Sequence, residues 1–357
     1  MWRQMTGFRY RRHDRGKRLP AALLVCTAVL VAAFTAEGLA SDRANPRDTV
    51  RISVLVATGM PGGTYYRAGL GMASLWTTRL KRTGIRVSAA ISEGTRENIE
   101  AIRIADADLI LAESAFCSMA YSGTGVYQGN PLPELRSITS LWPDVVHFLI
   151  RTEAVRTGTL ADLEGLVLAA GLPESGTRYT AEELLGTLKP AGKTVRLRSM
   201  SNMAAGEALK KGTVQALTVT GGIPVPLVLT LLRENPGRFG LLDITDPHVR
   251  SLGKRDSSIL RRSVIPPRTY PGQVNAVKSV GLGNILATTS SLSSQVVYEL
   301  TKTLYENIDY LTEVHPACRE IVLDRALKEI HIPLHPGAAR YYQERNKSIP
   351  EHLLPRQ

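Results

Sequence analysis

Three short stretches carry the residue types best suited to gripping a small charged molecule. "VATGMPGGTYY" holds Gly62, Gly63, Thr64 and Tyr65, "SGTRYT" holds Ser175, Gly176 and Thr177, and "LTVTGGIP" holds Thr220, Gly221 and Gly222. Each follows an apolar run and precedes a helix-like pattern, so each reads as a strand-to-helix turn. The first N–H groups of a helix lack intrahelical partners and carry partial positive charge, which suits an anion. Glycine lets the backbone approach a ligand without a Cβ in the way, and the hydroxyls add donors. Any one such turn needs Gly, Ser or Thr simply to turn and cap. Three of them in one α/β chain favour ligand binding, because ligands gather beyond the carboxyl ends of strands.

Covalent chemistry finds less support. "GTLKPAGKT" is one residue too long for a phosphate-binding loop and follows a helix instead of a strand, and "GTGVYQG" misses the dinucleotide pattern by one residue. No G-x-S-x-G nucleophile elbow occurs. His331 and His335 are separated by Pro333, which breaks a shared helical face. Cys117 has no evident histidine partner, and Glu182 and Glu183 read as helix surface. No catalytic residue, metal ligand or cofactor site is therefore nominated. Tyr298, Tyr305 and Tyr310 recur at helical spacing and read as a core-facing stripe.

The elements that must position the turns alternate. "VRISVLVATG", "IRVSAAIS" and "LILAES" read as buried strands separated by helices, and the alternation continues through "KTVRLRSM" and "QALTVTG". "LRSITSLWPDVVHFLIRT" reads as two strands joined around Pro143. Such alternation predicts parallel sheets in an α/β protein. The last third is mostly helical: "SSQVVYELTKTLYENIDYLTEV", "HPACREIVLDRALKEI" and a final helix after "HIPLHP". With 357 residues and 43% hydrophobic content, two lobes are expected, since single cores stop growing at roughly 250–300 residues.

The N-terminus has a separate purpose. A basic stretch, "RYRRHDRGKR", precedes the uncharged run from Leu19 to Phe34 and then small residues at Gly38 and Ala40. This is the layout of a secretory signal peptide over residues 1–40, with cleavage expected after Ala40 and export to the periplasm or beyond. Setting it aside lowers the net charge from +12 to +7, since it holds seven basic and two acidic residues. The remaining charge is scattered, without a basic tract interleaved with aromatics, so nucleic acid is not an expected partner. Cys117 and Cys318 remain; an oxidising compartment would permit a disulfide, and two buried thiols are the simpler reading.

In "TGMPGGTYYRAG", "EGTRENIEAI", "SGTRYTAEELL", "ALTVTGGIP", "TYPGQ", "YELTKTLYEN" and "IPLHPGAARYY", in this order from Val50 to Tyr342, the chain resembles the TAXI family, the TRAP-associated extracytoplasmic solute receptors. The resemblance implies a two-lobed, periplasmic-binding-protein-like (type II) α/β fold with a ligand cleft between the lobes. It implies capture of a small organic anion, an amino acid or dicarboxylate, and delivery to a TRAP-type membrane permease driven by an ion gradient. The family's first loop usually reads T-G-G-x-G-G-x-Y-Y, whereas this chain has Met60 and Pro61 there. Its third strand commonly ends in Gln-Ser-Asp, whereas this one ends in Glu113, Ser114 and Ala115. A carboxylate at that wall would repel an anion or pair with an ammonium group. Cys117 and Cys318 fall where the family often has small residues, which favours a disulfide slightly.

The expected organisation is a linker over 41–48, lobe 1 from 49–142 plus 265–345, lobe 2 from 143–264 and a tail over 346–357. Gly62, Gly63, Thr64, Tyr65, Glu113 and Ser114 are expected to grip from lobe 1. Ser175, Gly176, Thr177, Thr220 and Gly221 are expected to grip from lobe 2. The receptor is expected to act as a monomer. The alternative is an exported sensor or scavenger that signals to another membrane partner. An enzyme using the same cleft would need a nucleophile–base pair or metal set that the turns do not offer.

Overall fold

The computed structural model describes residues 52–186, 188, 194–253 and 260–355. The expected signal peptide and linker lie outside these residues. Among them, no helix is long and apolar enough to cross a membrane.

The first elements alternate as expected: β1 (Ile52–Ala57), α1 (Thr64–Arg79), β2 (Ile85–Ala90), α2 (Thr95–Arg103), β3 (Leu109–Glu113), α3 (Ser114–Ser122) and β4 (Leu135–Arg151). The chain continues through β5 (Val167–Ala169), α4 (Gly176–Leu185), β6 (Arg196–Arg198), α5 (Asn202–Lys211), β7 (Ala216–Gly221) and α6 (Pro226–Glu234). Then come β8 (Phe239–Leu241), α7 (Asp246–Gly253), β9 (Arg261–Ile265) and β10 (Val277–Thr289), followed by α8 (Ser294–Glu306), α9 (Ile308–Val314) and α10 (Pro336–Glu344). One sheet runs β2-β1-β3-β10-β4-β7-β5-β6, with β8 added beside β4 and β9 beside β10. β1, β2 and β3 are mutually parallel, as are β5, β6 and β7. β3, "LILAE", is buried along its whole length, as a strand covered on both faces must be.

β4 and β10 are antiparallel to each other and run through both halves of the molecule. The apolar cores divide along them. Val54 to Trp142 and Ile285 to Leu353 contribute to one core, and residues between Val145 and Val280 build two clusters on the other side. The architecture is the two-lobed, periplasmic-binding-protein-like α/β fold, with two long strands as its waist.

Four local expectations change. The stretch around Pro143 is one 17-residue strand, not two. Pro143 stands opposite Gly283 where the pairing with β10 becomes irregular, a position at which a missing N–H costs little. The chain returns to the first core within β10, between Val280 and Ile285, beyond the expected 264/265 boundary; Ile265, Tyr270 and Val277 pack with the second half. "HPACREIVLDRALKEI" forms short 3-10 turns at Pro316–Glu320 and Leu323–Arg325 instead of an α-helix. The expected tail is anchored: Leu353 is buried in the first core, and its carbonyl accepts from Leu334 N at 2.9 Å.

Candidate functional site

Five helices start at the waist, and the local chemistry of each start differs. α1 begins after Gly62, whose φ of +86° favours glycine, and Gly63. No side chain caps α1 and no acid lies in its first turn, so its leading N–H groups have no side-chain acceptor nearby. α2 follows Gly94 at φ +124°, and the Glu97 carboxylate reaches back to Glu93 N at 2.5 Å. α4 and α5 are capped by Ser175 and Ser201, whose hydroxyls accept from Arg178 N and Ala204 N. α6 opens on Pro226 at its first position, where no donor is missed.

Buried side chains hold these starts in place. Asn98 donates from Nδ2 to Thr58 O at 2.8 Å and Leu111 O at 2.7 Å, which ties the turn after β1 to β3. Thr95 Oγ1 accepts from Glu113 N at 3.2 Å. Within the second half, Tyr270 bridges His147 and the start of α6. Its hydroxyl lies 2.8 Å from His147 Nε2 and accepts from Val225 N at 2.8 Å. His147 Nδ1 lies 2.8 Å from Val145 O and must donate there, so Nε2 is the acceptor for Tyr270. Burial holds this neutral imidazole down at about 4.

The starts enclose a cavity of about 50 Å³ lined by Gly63, Thr64, Tyr65, Gly94, Thr95, Glu113, Asp144, Ser175, Gly176, Thr177, Asn202, Thr220 and Gly221, among others. A larger depression of about 410 Å³ lies on the second half beside β8 and the loop before β10. Two of its polar side chains are occupied locally: Asp243 accepts from Lys278 N, and Gln273 donates to Pro266 O and Asn275 O. None of the glycine turns reaches it.

The two halves touch over the waist cavity. Thr64 Oγ1 donates to Gly222 O at 2.9 Å, and Leu227 N donates to Gly62 O at 3.0 Å. At its rim, Arg96 pairs with Glu174 at 3.1 Å, and Glu174 N donates to Glu93 Oε2 at 3.1 Å. A Cβ on Gly176 would fall 2.2 Å from Glu113 Oε1, so only glycine admits this approach.

Of the residues expected to grip a ligand, Gly63, Thr64, Tyr65, Glu113, Ser175, Gly176, Thr177, Thr220 and Gly221 all line the cavity. Gly62 stands just outside it, with its Cα facing Met203, Asn202 and Leu227. Ser114 does not line it; its hydroxyl donates to Glu329 O instead. Several hydroxyls have structural work. Ser175 Oγ donates to Leu172 O as well as capping α4, and Thr177 Oγ1 accepts from Thr220 N at 3.2 Å. Tyr65 donates to Asn284 Oδ1 at 2.5 Å. Thr220 Oγ1 is buried without a hydrogen-bond partner.

The residue that sequence reasoning missed is Asp144. It is 3% exposed, lines the cavity and accepts from Trp142 Nε1 at 3.0 Å. Its one available signal was a carboxylate directly after Pro143 and before the apolar-rich run that follows it. Glu113 is also 3% exposed, and its Oε2 has no hydrogen-bond partner. Burial, and then the charge of Asp144, pushes Glu113 up to about 8; burial pushes Asp144 up to about 7 against the bonds from Trp142 and Asn284. Cys117 and Cys318 are separate buried thiols, and burial pushes both upward, Cys318 to about 12. Among the described residues, no group of three or more His, Cys, Asp or Glu could hold a metal ion.

Helix starts from both halves of the fold converge on one waist cavity. The model of the NMT1-like family matches residues 56–345, and the chain belongs to that family. Solved structures similar to the chain include a protein from Bordetella bronchiseptica RB50, at 16% identity and TM-score 0.47, covering 84% of this chain and 90% of that one. An ancestral arginine-binding protein bound to arginine matches at 13% identity and TM-score 0.45, covering 76% and 97%. The GluR0 ligand-binding core from Nostoc punctiforme in complex with L-glutamate matches at 16% identity and TM-score 0.44, covering 73% and 97%.

Proposed function

We propose that this chain is an exported solute receptor of the TAXI kind, which captures a small carboxylate-bearing solute between its lobes and delivers it to a TRAP-type membrane permease. The observation that carries the reading is the meeting of glycine turns from both halves at one cavity. The uncapped start of α1 offers backbone N–H groups to the carboxylate, and the helix dipole adds to the attraction. The cavity has room for a few atoms only, so the solute enters as the lobes part and is enclosed as they close. β4 and β10 are the two strands that must flex. The activity proposed is binding with closure and no bond-breaking, carried out outside the cytoplasm, in keeping with the export signal read in residues 1–40.

A thermal-shift screen of amino acids, monocarboxylates and dicarboxylates tests the reading. A ligand at about 100 times its Kd raises stability by about 2.7 kcal/mol, which a melting curve resolves. If no carboxylate-bearing solute raises the melting temperature, the proposal fails. Permease delivery is tested by uptake of the identified solute in cells with and without the receptor.

A further inference from the structure

We propose that Gly222 and His315 form a latch that holds the two halves together when they close. Gly222 of the second half seats in a notch of the first half, and His315 backs that notch with a donor aimed at the second half. The latch takes from the receptor reading only that the halves part and close.

The notch is set by packing. A Cβ on Gly222 would fall 2.5 Å from Trp142 Cδ1, 2.8 Å from Trp142 Nε1 and 2.7 Å from the Cβ of Ala317. Trp142 and Ala317 belong to the core of the first half, whereas Val219 and Val225, on either side of Gly222, belong to the second. Neither wall of the notch is free to give. Trp142 is buried, its Nε1 donates to Asp144 Oδ1 at 3.0 Å, and its ring meets Tyr65 edge-on with centroids 6.2 Å apart. On the other side, Ala317 N donates to His315 Nδ1 at 3.1 Å. Thr64 Oγ1, from the first residue of α1, pins the inserted backbone by donating to Gly222 O. The notch therefore accepts a glycine backbone and no side chain.

His315 supplies the second contact. Its Nδ1 accepts from Ala317 N, so the proton of the neutral ring sits on Nε2. Nε2 is buried without a hydrogen-bond partner, and the backbone group that bears on the imidazole is the carbonyl of Pro224, two residues beyond Gly222. A buried N–H is costly until it is paired, so a slight further closure that brings Pro224 O onto Nε2 is favoured. The place of the latch gives it leverage. Gly221, beside Gly222, pairs with Val145 on β4, one of the two strands that run through both halves. A methyl wedged beside this pivot swings the more distant rim apart by more than its own width.

The experiment measures the distance between the halves in the mature protein without added solute. Spin labels are placed on Thr78→Cys in α1 and Arg233→Cys in α6, both exposed positions, and read by pulsed electron paramagnetic resonance. Cys117 and Cys318 are buried and stay unlabelled. The latch is tested with Gly222→Ala and with His315→Asn, whose side-chain oxygen can still accept from Ala317 N but which has no donor at the Nε2 position. Gly240→Ala is the control, since a Cβ there meets only Val155, at 3.9 Å. The expected result is a shift of the main distance to a longer value in Gly222→Ala, a smaller shift in His315→Asn and none in Gly240→Ala, with unchanged circular dichroism spectra. A Gly222→Ala distance equal to wild type overturns the latch, and a His315→Asn distance equal to wild type overturns the part given to His315. Should Gly222→Ala fail to fold, His315→Asn decides, and an unchanged distance there overturns the latch. No solute enters the measurement, so a failed latch leaves the receptor reading standing, and a carboxylate screen without a hit leaves the latch standing.

Discussion

Replacing Glu113 with Gln should make the ligand-free protein more stable at high pH and flatten its pH dependence. The folded state lifts the Glu113 carboxyl from 4.5 to about 8, chiefly through burial and then through Asp144. Between those values the native state holds a proton that the unfolded state has lost, so stability falls as pH rises. This contribution is complete below the unfolded value and gone above about 8. At about 1.4 kcal/mol per pH unit, the full span is on the order of 5 kcal/mol. The amide of Gln fills nearly the same space without ionising. Urea denaturation at pH 5, 6, 7, 8 and 9 reads the effect. The variant and wild type should differ least near pH 5 and diverge progressively up to pH 8, with the variant the more stable above it. Parallel curves, or a variant less stable than wild type at pH 9, would show that Glu113 is not buried as a strained acid and would refute the reasoning.

Other expectations follow from single contacts. Thr64→Val removes the donor to Gly222 O across the waist and should weaken solute affinity by about 1–3 kcal/mol through poorer closure, measured by calorimetry. Arg96→Ala breaks a partly exposed rim pair with Glu174, and its cost should stay under about 1 kcal/mol, visible mainly as faster solute release in stopped flow. Gly337→Ala places a Cβ 2.2 Å from Ser294 O and 2.8 Å from Tyr298 N, both backbone atoms of or beside α8. It should cost about 1–3 kcal/mol and lower the melting temperature. Cys117 and Cys318 should resist a thiol reagent in the folded protein and both react after denaturation, because each is a buried, protonated thiol; a mature chain with no titratable thiol would contradict the structure.

Much of the site was legible because turn chemistry is local. A glycine pair at a strand end and a Ser before a helix act within a few residues, and the structure uses Gly62 and Ser175 in these ways. Strand and helix alternation likewise follows from periodicity, because apolar spacing decides which face can be buried. The short 3-10 turns after Pro316 escaped that logic; their residues have helical composition, but Cys318 and Ile321 turn into the first core there.

The sequence by itself determined the α/β alternation, the three glycine turns and the presence of a carboxylate, Glu113, at a strand end. Only the tertiary structure decided what that carboxylate meets. Asp144 stands beside it because β4 runs unbroken past Pro143 and crosses the waist, and the partners of Thr64, Thr177 and Ser114 are set by segments 158, 43 and 215 residues away. Charge and hydroxyl chemistry are written residue by residue, but the cost of burying a charge depends on which distant strands close around it.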